Sequence, residues 1–210
     1  EEDRQHWQAF REQFPNFFNI GDESQNMQDE FWGTFQGTRG SEHFYSSLFE
    51  YTTVSRDSKG RKQRKTHKRT IFAIRLHKPL ESDFRLVPEN FGTKFINFFT
   101  RKEINTESTE FNKTFAFYYN GKKDEKALEI VKTLSPAIQI KLLELKSQYK
   151  NFSVWFCNDI ALFMFSGILL PKMKTNFFRK VELDPRDKKT IEDKINLILK
   201  ISTEMVPYLD

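Results

Sequence analysis

Trp7, Phe10, Phe14 and Phe17 recur at helical spacing among Glu, Arg and Gln, so residues 3 to 19 read as an amphipathic helix that Pro15 kinks or ends. The polar stretch Gly21 to Asp29 has no period and reads as a loop. Phe31 to Gln36 reads as a short strand punctuated by Gly33, Gly37 and Gly40. Phe44 to Val54 is rich in aromatic and β-branched strand formers. Thr70 to Leu76 alternates, with Ile71, Ala73 and Arg75 against Phe72, Ile74 and Leu76, which is the period of a strand with at least one buried face. The polar tract Ser55 to Lys68 then reads as a long hairpin loop between two antiparallel strands.

Downstream, Phe84 to Val87 reads as a short strand stopped by Pro88. Phe91, Phe95, Phe98 and Phe99 share one helical face, whereas Phe111, Phe115 and Phe117 alternate through Glu110 to Tyr119 up to the turn Asn120-Gly121. Asp124 to Leu134 reads as a helix with Ala127, Leu128, Val131 and Leu134 inward. Ser135-Pro136 is a restart signal, an N-cap followed by proline at the first helical position, and opens a helix to about Tyr149. Phe152 to Cys157, Asn158-Asp159 and Ile160 to Phe165 form a tight hairpin signal, since Asn and Asp tolerate the positive φ of a two-residue turn. A last helix runs from about Pro185 to Met205 with Ile191, Ile195, Ile198 and Ile201 on its apolar side.

Strands, helices, strands, helix is the order of an α+β fold: an antiparallel sheet of about five to seven strands with packed helices and helices at both termini. One domain over residues 1–210 is expected, with 100–110 as the boundary if there are two lobes. The core residues expected from these patterns are Phe72, Ile74, Phe115, Phe117, Leu128, Leu142, Trp155, Phe163 and Ile195.

Composition narrows the chemistry. With 38% hydrophobic and 30% charged residues the chain is globular in balance, and its 23 Phe point to a ring-rich core. Cys157 is the only cysteine, so an intrachain disulfide is excluded. The longest apolar run, Ile160 to Leu170, is too short for a helical membrane span, which takes ~20 residues. Gly60-Arg61-Lys62 and Gly121-Lys122-Lys123 lack the partner glycine and hydroxyl of a phosphate-binding loop, and no nucleophile-elbow serine is present. His6, His43, His67 and His77 are scattered without ligand spacing, so no metal and no cofactor is expected. Cys157 reads as a buried, inert thiol. The sequons at Asn112 and Asn151 flank strands and read as chance.

One tract departs from this background. Arg56, Lys59, Arg61, Lys62, Arg64, Lys65, Lys68 and Arg69 face a single acid, Asp57, which makes +7 in fourteen residues and leaves −2 for the rest of a +5 chain. Two readings stay open: a solvated hairpin tip whose charge resists aggregation, or a mobile anion-binding finger. The tract has no aromatic residue, which argues against stacking on single-stranded nucleic acid.

Three segments carry a resemblance: Gly33-Thr34-Phe35-Gln36-Gly37-Thr38 with Ser41-Glu42; His67-Lys68-Arg69-Thr70-Ile71-Phe72 with Phe84-Arg85-Leu86-Val87-Pro88-Glu89; and Glu110-Phe111 through the Phe152 to Phe165 hairpin. Over residues 30–166 the chain resembles the bacterial domain-of-unknown-function family 3137. The resemblance implies membrane spans upstream of the domain, which suits a chain starting at Glu1 rather than Met, and implies no activity and no catalytic residue. The expectation is a non-enzymatic interaction domain, the soluble part of a membrane-tethered protein, on the cytoplasmic side. Its basic hairpin would meet an acidic membrane surface or an acidic protein, with nucleic acid as the weaker partner. The alternative is a hydrolase or transferase whose site assembles only in the fold, with Glu42, His43, His67 and Asp159 as the side chains to inspect.

Overall fold

A computed structural model describes residues 5, 7–10, 12, 25–37, 40–88, 100–102, 104–119, 123–149, 152–166, 189 and 196. Along this chain run β1 (Gln25–Gly37), β2 (Gly40–Arg56), β3 (Lys62–Arg75), β4 (Phe84–Pro88), β5 (Thr100–Lys102), α1 (Thr109–Thr114), β6 (Phe115–Tyr119), α2 (Lys123–Thr133), α3 (Pro136–Gln148), β7 (Phe152–Cys157) and β8 (Ile160–Ser166). Among the described residues the strands make one eight-stranded sheet in the order β1-β2-β3-β8-β7-β4-β6-β5, and every neighbouring pair is antiparallel. The architecture is α+β, one strand larger than the expected range.

Period-two alternation gives this sheet two apolar faces. Phe72 and Ile74 of β3 point with Phe84, Phe117, Phe156 and Phe163 to one side, where Ile130 of α2 and Ile138, Leu142 and Leu145 of α3 cover them. Close ring pairs knit this layer, such as Phe84 on Phe156 at 4.7 Å and Phe111 on Phe115 at 4.9 Å. Ile71 and Ala73 point to the other side with Tyr45, Phe49, Tyr51, Trp155 and Leu162. There Trp7 and Phe10, both buried, lie against Tyr45, with the Trp7 ring stacked at 5.7 Å. Residues 5, 7–10 and 12 are helical, as the N-terminal pattern requires. Lys189 and Asn196 are helical too, whereas the rest of the C-terminal helix, Ile195 included, and the Phe91–Phe99 segment lie outside the described residues.

Four expectations need correction. The strand at Phe31 begins earlier, at Gln25, and takes in most of the stretch read as a loop, with a register shift between Gln28 and Phe31. The tract Ser55 to Lys68 is not a long loop: β2 and β3 stay in register out to Arg56 opposite Lys62. Backbone pairing needs no apolar side chain, and Thr52, Thr53 and Thr66 are good strand residues, so cationic composition hid the ladder. Glu110 to Tyr119 is not a single alternating segment: Ser108 caps α1 by accepting from the Phe111 amide at 3.2 Å, and the strand starts only at Phe115. Leu128 is 61% exposed, and Ile130 fills the inward position of α2 instead.

Candidate functional site: a basic hairpin and a polar cavity at opposite ends of β3

The β2–β3 hairpin is built from its turn. Asp57 Oδ1 accepts from the Lys59 and Arg61 amides, both at 2.9 Å, and Asp57 Oδ2 pairs with Arg61 Nε at 2.9 Å. Gly60 supplies the positive φ of +76°, with a Gly60 amide bond to the Asp57 carbonyl closing the turn. Those bonds, led by the Arg61 amide, hold the Asp57 carboxyl below its ordinary 3.8. The only acid of the tract is thereby engaged in the fold of the tip.

Pairing of β1 with β2 reaches Tyr51, and pairing of β8 with β3 begins at Thr70. Among the described residues, Thr52–Arg56 and Lys62–Thr66 therefore form a two-stranded ribbon, about 17 Å long at the usual antiparallel rise. Arg56, Lys59, Arg61, Lys62, Arg64 and Lys65 are exposed on it. The other two cations of the tract sit at its root. Lys68 pairs with Glu50 at 2.7 Å. Arg69 is half-buried near Tyr51, where its charge favours the ionised phenol, and its Nη1 donates to the Lys68 carbonyl at 3.3 Å. His67 stacks on the Tyr51 ring at 4.8 Å, and its Nε2 lies 2.9 Å from Thr53 Oγ1.

At the far end of β3, a cavity of about 350 Å³ is lined by His43, Arg75, Leu76, His77, Pro79 and Asp159. The β7–β8 turn places Asp159, with Asn158 at φ 51°, and Asp159 Oδ2 accepts from Arg75 Nε at 3.2 Å. Two amides tie the β3–β4 connection to the same turn: Leu76 donates to the Asp159 carbonyl and Leu80 to that of Asn158. The fold thus brings His43 and Asp159 to one cavity and leaves His67 at the hairpin root; the Glu42 side chain lies outside the described ones. Arg75 and His77 were not singled out from sequence, because they gain meaning only when the end of β3 meets the β7–β8 turn. Among the described residues no group of three or more His, Cys, Asp or Glu could hold a metal, and no helix is long and apolar enough to cross a membrane.

A third residue whose setting only the fold reveals is Arg85. It is 3% exposed in β4, opposite Trp155 on one side and Tyr118 on the other. Its Nη2 donates to Ser153 Oγ at 3.4 Å, and its guanidinium lies 5.9 Å from the Trp155 ring centroid. Burial pulls Arg85 down to about 10, so it keeps its charge at neutral pH. No family model, curated protein or solved structure matches the chain.

Proposed function

We propose that this chain is a non-enzymatic interaction domain whose basic hairpin binds an acidic lipid surface. The carrying observation is the hairpin itself: exposed cations stand on a backbone-paired two-stranded ribbon while its one acid is engaged in the turn. The domain is proposed to lie near the inner membrane face, the setting implied by the resemblance over residues 30–166, which no family model matches. There each cation close to the surface adds ~1 kcal/mol of attraction to acidic lipid. The test is co-sedimentation with phosphatidylglycerol-containing vesicles at low and high salt. The comparison is a variant with Lys59, Lys62, Arg64 and Lys65 all changed to Ser, which leaves the Asp57–Arg61 pair in place. Wild type should pellet with acidic vesicles at low salt only, and the variant should lose at least about 30-fold in partitioning, the share of Lys62 and Arg64 at ~1 kcal/mol each. Equal binding by both proteins, or binding by neither, overturns the reading.

A second reading, a hydrolase or transferase, draws on the cavity that holds His43, Arg75, His77 and Asp159 together. Turnover of p-nitrophenyl acetate or p-nitrophenyl phosphate by wild type, abolished in His43→Ala, would establish it. Rates equal to buffer with both substrates remove it.

A further inference from the structure

The hairpin has two faces, and they are not equally charged. Residues opposite one another in an antiparallel ladder share a face, and the β2–β3 register is unbroken from Phe44–Ile74 to Arg56–Lys62. On the face continuous with Phe72 and the helices, the successive rows outward are Glu50 with Lys68, Thr52 with Thr66, Val54 with Arg64, and Arg56 with Lys62. The innermost row is an ion pair at 2.7 Å and the next a hydroxyl pair at 3.4 Å. The outer two rows hold three cations and no acid. On the opposite face the rows are Tyr51 with His67, Thr53 with Lys65, and Ser55 with Gln63, so Lys65 is the one cation of its outer two rows.

Arg56 directly opposite Lys62 is a like-charge cross-strand pair, an arrangement that destabilises a sheet. Opposed Cβ atoms lie about 5 Å apart and the next row on the same face about 7 Å away, so three long side chains can converge on one oxyanion group. Two of the three are arginines, whose planar forks match phosphate oxygens in a bidentate way. The acid nearest in sequence, Asp57, already accepts from the Lys59 and Arg61 amides and from Arg61 Nε.

We infer that Arg56, Lys62 and Arg64 form a phosphate-binding face on the hairpin, and that the Lys65 face takes no part. This rests on the reading of the hairpin as an anion-binding element, and gives that element an orientation and a ligand chemistry. The phosphates are those of acidic lipid headgroups; a soluble polyphosphate offers the same chemistry from another source.

Two variants of equal charge loss separate a built face from a diffuse cloud of charge: Arg56→Ser with Lys62→Ser, and Lys59→Ser with Lys65→Ser. Vesicles of phosphatidylglycerol and phosphatidylcholine at low salt are the first probe, and inorganic tripolyphosphate in an amide chemical-shift titration of the wild-type protein is the second. The first variant should lose about 30-fold in vesicle partitioning and the second under about 3-fold. Tripolyphosphate should shift amides at Arg56, Lys62 and Arg64 more than those at Ser55, Gln63 and Lys65. Retained Lys59 and Arg61 amide signals in the first variant check that its turn is intact. Equal losses in the two variants overturn the inference and leave the lipid reading standing. Absence of wild-type binding to vesicles overturns the lipid reading instead. In that case facial shifts with tripolyphosphate support the site with a soluble ligand, and shifts spread over both faces overturn it.

Discussion

Cys157 closes β7 and is half-buried, next to Asp83 and the turn that carries Asp159. Burial, reinforced by those two carboxylates, pushes its thiol up to about 12 from an ordinary 9. Since the thiolate is the nucleophile, alkylation by iodoacetamide at pH 7 should run on the order of 10³ slower than for an unstructured peptide cysteine. Mass spectrometry over time checks this, and a rate near the peptide's would refute the raised thiol; the cysteine expected to be fully buried is only half-buried. Asp57 gives the opposite sign. Its folded value lies below 3.8, so the turn's stabilisation is complete above that pH and is lost as pH falls through the lowered value. Amide shifts of Lys59 and Arg61 should titrate in that acid window, and Asp57→Asn should flatten their curves. Tyr51 behaves as an acid raised by burial to about 12, with Arg69 and Arg85 opposing the shift. Its contribution is whole below pH 10 and disappears as pH rises from 10 toward 12, because the unfolded phenol ionises first. Urea midpoints should fall across that range and fall less in Tyr51→Phe.

At the scale of elements, α2 shows how far periodicity reaches. Ala127, Val131 and Leu134 meet the core while Leu128 stands 61% exposed. A helical stripe read from sequence is wide enough to admit either Leu128 or Ile130, and only the tilt of α2 on the sheet selects Ile130. Leu128→Ala should therefore change stability by under about 0.5 kcal/mol, and Ile130→Ala should cost about 2–5 kcal/mol, in chemical denaturation. The α1–β6 boundary has a similar cause. Phe111 and Phe115 are four apart, a spacing compatible with one helical face and with one strand face alike. Ser108 and the Asn112 side chain settle it for the helix. Asn112 Oδ1 accepts from the Thr106 amide at 3.0 Å, and its Nδ2 donates to the Thr106 carbonyl at 2.9 Å. The amide of that sequon is thus used inside the fold.

Across the whole molecule, β7 lies between β8 and β4 and carries Trp155, which is 4% exposed and lies under the Arg85 guanidinium. Trp155→Ala removes a large ring from the layer that also holds Tyr45 and Leu162, and should cost about 3–5 kcal/mol. A loss under about 1 kcal/mol in denaturant titration would show that the layer collapses around the gap.

Local pattern settled much of this protein. The β7–β8 hairpin, the Ser135-Pro136 restart of α3, the buried alternation of β3 and the α+β class are legible because each rests on neighbours within a few residues. The charge of Arg56 to Arg69 was equally plain as composition. Composition, however, does not say which cations share a face. Register does: it sets Arg56 beside Lys62, sends Lys68 to Glu50 and places Arg69 opposite Phe49, one row-step from Tyr51. The same holds for the cavity, whose His43, Arg75 and Asp159 are separated by 32 and 84 residues along the chain and meet where three strand ends converge. A pairing between distant strands is decided by how both apolar faces of the sheet are covered at once, and that condition belongs to the packed molecule rather than to any stretch of its sequence.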